Sequence, residues 1–161
     1  MLAATLLCAL FASAAVDGLT LNKLDVQPCK TAADLESVKE FRVTHCDAVP
    51  CKVTTADVPK FEIDFVAKRD SDALRVHVKG SLAPGLKPSV LPGFKSDACN
   101  NMGVKCPLTA GQQYTAKSEF TLAVPGLPDT ALPLKTDAVF SGKDAGGDFF
   151  CFKVPVELSK A

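Results

Sequence analysis

Apolar and polar residues alternate with a period of two along most of this chain, the spacing of strands that bury one face. Phe61, Ile63 and Phe65 alternate with Glu62 and Asp64, and Leu74, Val76 and Val78 with Arg75, His77 and Lys79. Tyr114, Ala116, Phe120, Leu122 and Val124 share one phase, interrupted by Ser118. Leu132, Leu134, Ala138 and Phe140 share another, with Thr136 between them. In the last and strongest run Phe150, Phe152, Val154, Val156 and Leu158 oppose Cys151, Lys153 and Glu157. A strand over Val38 to Val43, with Phe41 and Val43 inward, and a short edge over Leu24 to Val26 complete the set. Turn-forming clusters at Arg69 to Asp72, Pro125 to Asp129 and Gly142 to Gly147 separate these runs. The Pro/Gly-rich connection from Pro84 to Phe94 does not suit a central strand. Ala32 to Lys39 can form a helical turn but has no long apolar stripe. About seven strands and no long helix predict an all-β, antiparallel two-sheet sandwich.

The cysteines set the compartment. Met1 to Ala15 is uncharged, with an apolar run over Leu6 to Phe11 followed by the small residues Ala12-Ser13-Ala14. That run is too short to span a bilayer and reads as a signal peptide cleaved after Ala14 or Ala15, which leaves one domain over residues 16–161. Cys8 departs with the leader, and the 7 cysteines of the chain become an even set. An even set in a secreted domain of this size argues for disulfides rather than zinc ligands or a catalytic thiol. Spacing favours short bridges at 46–51 and 99–106 and a long one from Cys29 to Cys151, although about 15 pairings of six cysteines are formally open.

Charge and chemistry narrow the function. The 18 basic residues balance the 18 acidic ones and are interspersed with them, so bulk charge draws neither nucleic acid nor an anionic membrane. The only histidines are His45, beside a cysteine, and His77, on the polar phase of a strand. No HExxH, GxSxG or Gly-rich phosphate loop occurs, and no Asn-x-Ser/Thr sequon. Neither an enzyme nor a bound metal or cofactor is expected.

Several segments carry a family resemblance: Val26-Gln27-Pro28-Cys29, Val43-Thr44-His45-Cys46 with Pro50-Cys51, Phe61 to Phe65, Val78-Lys79-Gly80, and Cys99. Cys106-Pro107-Leu108, Gly111 with Tyr114, and Cys151-Phe152-Lys153-Val154-Pro155-Val156 continue the series. In these the chain resembles the ML family, the MD-2-related lipid-recognition domains, and within it the Niemann-Pick C2-like sterol binders and mite group 2 allergens. The resemblance implies an immunoglobulin-like sandwich with a deep apolar cavity between its sheets. It also implies the bridges Cys29–Cys151, Cys46–Cys51 and Cys99–Cys106. The expected function is a secreted lipid-binding and transfer protein, extracellular or in the endolysosomal lumen, holding a sterol, a fatty acid or a related lipid. An extracellular interaction module that presents lipid to a receptor in innate immune recognition is the alternative.

Phe61, Ile63, Phe65, Phe120, Leu122, Phe140, Phe150, Phe152 and Val154 are the candidate pocket wall, each weighed against ordinary core. Leu91, Phe94 and Val124 are the entrance candidates, because turns and prolines flank them. Sterol binders of the family often carry a Tyr where this chain has Val124 before Pro125. That change loses an aromatic surface and a hydroxyl, and weakens a strict sterol reading. Lys87 and Lys95 are candidates to meet a carboxylate or phosphate, or are plain solvated charges. The expected partners are a small hydrophobic molecule and a membrane or lipid-transfer receptor, with no nucleic acid, and the protein is expected to be a monomer.

Overall fold

A computed structural model describes residues 20–83 and 86–161. The leader expected at residues 1–15 lies outside them. Ten strands form among the described residues: β1 Asn22–Lys23, β2 Gln27–Pro28, β3 Val38–Val43, β4 Cys51–Thr54, β5 Lys60–Val66, β6 Arg75–Gly80, β7 Ser89–Val90, β8 Gln113–Glu119, β9 Leu134–Asp144 and β10 Gly147–Ser159. The first sheet runs β1-β3-β5-β8 and the second β2-β10-β9-β6-β7, with β4 also on β10. The two sheets face each other as a sandwich, and every pairing along these orders is antiparallel.

The period-two pattern is what turns these strands into a core. On β5 the burial alternates without a break, so Phe61, Ile63 and Phe65 are buried while Glu62 and Asp64 face outward. At the centre Phe41 of the first sheet meets Phe140 and Phe152 of the second, with ring centroids 4.9 and 5.0 Å apart. Phe140 and Phe152 are cross-strand neighbours and stack at 5.2 Å.

Local departures from the expected pattern have physical causes. Leu24 to Val26 is no edge strand. It is the link between β1 in one sheet and β2 in the other, with Leu24 buried and its N–H donating to the Phe41 carbonyl. β4 pairs in parallel with the end of β10, an exception to an otherwise antiparallel fold. β8 stops at Glu119, so Phe120, Leu122 and Val124 keep their inward phase without a strand partner. The turn expected over Gly142 to Gly147 contracts to Ala145-Gly146 as β9 and β10 extend into it. A bulge between Asp148 and Phe150 buries Phe149 as well as Phe150, and the Arg69 guanidinium sits 4.4 Å above the Phe149 ring. Ala32–Leu35 forms a single 3-10 turn, in which the Asp34 carboxylate accepts from the backbone N–H groups of Lys30 and Thr31.

Three disulfides close the frame: Cys29–Cys151, Cys46–Cys51 and Cys99–Cys106, with Cα separations of 5.4, 4.9 and 5.7 Å. The first ties β10 to the residue that follows β2. The second joins the turn after β3 to the start of β4. The third fastens the helical turn Ala98–Asn101, capped by Asp97, to the segment before β8.

Candidate functional site

Beyond the central aromatic layer the sandwich is hollow. The inner-face pairs of β9 and β10 run Phe140/Phe152, Ala138/Val154, Thr136/Val156 and Leu134/Leu158. The aromatic pair fills its layer, whereas the two that follow are small, and the cavity opens over them. β6 contributes Val78 and Gly80 to the same wall, β3 contributes Phe41 and Val43, and the segment after β8 contributes Phe120, Leu122 and Val124. Cys46, Cys51 and Val53 close one side, so the short disulfide is part of the wall.

The void is narrow. Its volume is about 80 Å³, and it is open to solvent. Almost no polar surface faces it. Buried Thr44 has its hydroxyl engaged by the Lys60 N–H at 2.9 Å, and the Ser81 hydroxyl donates to the carbonyls of Ala83 and Leu86. Burying hydrocarbon here therefore leaves few polar groups without partners.

Charge is kept on the outer faces. On the first sheet Arg42 bridges Glu40, Glu62 and Asp64 at 2.5, 2.7 and 2.8 Å, and Lys117 meets Glu62 at 2.9 Å. Lys117 and Arg42 hold Glu62 below the usual carboxylate range. Burial pushes Asp64 up, but Arg42 and Thr115 outweigh it and its value is lowered. On the second sheet, burial together with Lys143, Lys79 and Arg75 pushes the His77 imidazole down. Among the described residues no cluster of His, Cys, Asp or Glu is placed to hold a metal ion. None of their helices is long and apolar enough to cross a membrane.

Six of the twelve candidate residues lie on the cavity wall: Leu91, Phe120, Leu122, Val124, Phe140 and Val154. The other six do not. Phe61 packs behind the wall against Phe140 and Phe120, with centroids 5.3 and 6.1 Å away, and Ile63 is fully buried beside it. Phe65 and Phe150 face each other at 5.4 Å in the filled end, and Phe152 lies beneath Phe140. Phe94 lines a separate outer notch with Val58, Pro92 and Thr121, and only Phe120 is shared between that notch and the cavity. Lys87 and Lys95 are exposed and off the wall. The residues that make the space are not among the large apolar candidates. Gly80, Thr136 and Ala138 were legible as small residues on an inward phase, and Val53 as part of a short strand beside a cysteine.

Comparison with known proteins gives a consistent picture. A family model described as the ML domain matches residues 23–158. The mite group 2 allergen Der p 2 of Dermatophagoides pteronyssinus is 30% identical over 128 residues, covering 79% of this chain and 78% of the allergen. The NPC intracellular cholesterol transporter 2 of Bos taurus is 24% identical over 123 residues, 75% of this chain and 76% of that protein. The crystal structure of a Niemann-Pick type C2 protein from Japanese carpenter ant shares the fold with a TM-score of 0.67 at 17% identity. It covers 84% of this chain and all of its own.

Proposed function

The chain belongs to the ML domain family, a family of lipid- and sterol-binding folds, and we propose that it is a carrier of a hydrophobic ligand held between its two sheets. One observation carries the reading: a void with almost wholly apolar walls lies beside an otherwise packed core. A ligand that buries about 300 Å² of apolar surface there gains about 7 kcal/mol before ordering costs. The polar side chains of the described wall are Thr44, Lys79, Ser81 and Thr136, with no carboxylate or histidine beside them to activate a hydroxyl, which favours binding over catalysis. A sterol, a fatty acid or a related lipid fits this chemistry. The slim void admits a single acyl chain with less parting of the sheets than a sterol plate needs. The homology supports an extracellular or lumenal setting. Leu82, exposed at 40%, stands at the rim where a membrane or receptor would take the ligand.

Protein purified from its native source is expected to release an organic-extractable lipid detectable by mass spectrometry. Delipidated protein is expected to take up a fatty-acid or sterol probe. A protein that is empty as isolated and takes up neither probe would sink the proposal.

A further inference from the structure

Two strand glycines of the second sheet leave opposite imprints. Gly142 on β9 lies across from Phe150, and a Cβ added to it would sit 2.5 Å from Phe150 Cε1. The phenyl ring occupies the space a side chain would need. Gly80 ends β6, in phase with buried Val76 and Val78, and a Cβ added to it would meet no atom within 4 Å. Its φ is not in the left-handed region, so no turn geometry demands glycine there. Glycine within a strand costs about 0.5–1 kcal/mol relative to alanine and often marks the close approach of another group.

The register shows what that group displaces. Val78 pairs with Phe140 and Lys79 with Val139, which puts Gly80 beside Ala138, the partner of Val154. One inward row thus reads Val78–Phe140–Phe152 and the next Gly80–Ala138–Val154. The sheet steps from two phenyl rings to a row with almost no side-chain volume, and the void opens at that step.

We infer that Gly80, assisted by Ala138, is the ligand gauge of this protein: the hydrocarbon of the ligand lies across the Gly80–Ala138–Val154 row and ends against Phe140. This inference rests on the lipid-carrier reading above. The ligand takes the place of the side chains that would otherwise close the sheet. The length of the side chain at position 80 then sets how much hydrocarbon enters.

The test is a series of Gly80→Ala, Gly80→Val and Gly80→Leu in delipidated protein. Each variant is titrated with cis-parinaric acid and with dehydroergosterol, and its thermal unfolding is followed by circular dichroism. For whichever probe wild type binds, affinity should fall about tenfold in Gly80→Ala and about a hundredfold or more in Gly80→Leu, the scale of one methylene and of several in an apolar pocket. Melting temperature should hold or rise along the series, because each side chain enters empty space on a strand. Binding and stability moving in opposite directions is a signature that a purely structural glycine would not produce. Wild-type affinity in folded Gly80→Leu overturns the inference. So does a Gly80→Ala protein that melts more than about 5 °C below wild type, which would mean the space is absent. If Gly80→Leu does not fold, Ala138→Val decides, since it narrows the same row from the neighbouring strand and unchanged affinity overturns the inference. If wild type binds neither probe, the carrier reading itself fails and takes this inference with it.

Discussion

At one end of the sandwich, Phe65 packs between Tyr114 and Phe150, with ring centroids 5.8 and 5.4 Å away, and Phe149, Leu74, Met102 and Leu108 leave no room between the sheets. At the other end Gly80 of β6, Thr136 and Ala138 of β9 and Val154 of β10 surround a cavity. The alternation of buried and exposed positions runs into both ends, broken at the filled end by the bulge that buries Phe149. What separates them is side-chain volume within each inward row: a period of two decides which residues face in, and their sizes decide whether the interior closes. Protein interiors normally pack like organic crystals, so an unfilled row is a cost that the rest of the frame has to offset. The hollow end is held by the parallel pairing of β4 with β10 and by the Cys46–Cys51 bridge in its wall.

The sharpest way to break this contrast is to truncate one side chain at each end. Phe150→Ala removes a ring that touches Phe65 and Phe152 and fills the space over Gly142. It should cost about 3–5 kcal/mol in denaturant unfolding, because the site is too crowded to collapse. Leu134→Ala at the hollow end should cost about 2 kcal/mol, mostly the lost transfer energy, since the side chain already borders empty space. Equal losses at the two positions would mean that the ends are packed alike.

The two short disulfides divide the same way. Their cysteines are 5 and 7 positions apart in the sequence, and by the chain-entropy argument each bridge is worth about 2 kcal/mol. Replacing Cys46 and Cys51 by serine should lower both the melting temperature and the affinity for the lipid probe. Replacing Cys99 and Cys106 should lower the melting temperature alone, because that bridge fastens the filled end. Matching losses of affinity in both double variants would show that the cavity depends on global stability and not on its own wall.

The strands were legible in the sequence because burial on one face imposes a two-residue spacing, clearest along β5 and β6. The edges were not. β1, β2 and β7 are two residues each, too short to show a period, and β2 depends on pairing with β10 at the far end of the chain. Phe149 was missed because a bulge breaks the alternation that pointed to Phe150 alone. The cavity was legible only in kind. Large aromatics drew attention, yet Phe61, Phe65, Phe150 and Phe152 are the residues that fill their rows. The space is written in residues that are small, and a Gly or Ala announces a void only once its row neighbours are known. Register, which pairs Ala138 with Val154 and puts Gly80 next to them, is a property of the folded sheet.

Acid should separate the ends by the smallest margin. Asp144, at the filled end, accepts from Arg69, Ser71 and the Gly146 N–H, and Arg69 and Ser71 together hold its pKa down to about 2 from 3.8. A carboxylate whose folded value is lowered adds stability that is fully present above its unfolded value and lost as pH falls through the folded one. The contribution of Asp144 should therefore disappear between about pH 4 and pH 2. Asp144→Asn should be less stable than wild type at neutral pH by about 1 kcal/mol, given solvent screening, and the gap should close across that window. Among the described residues the cavity wall contains no carboxylate and no histidine. Affinity for an uncharged probe such as dehydroergosterol should then stay flat while the fold weakens around it, provided that only folded protein is counted. An affinity that followed the stability of wild type down, and did so less steeply in Asp144→Asn, would tie the hollow end to the filled one through a coupling that the apolar wall does not supply.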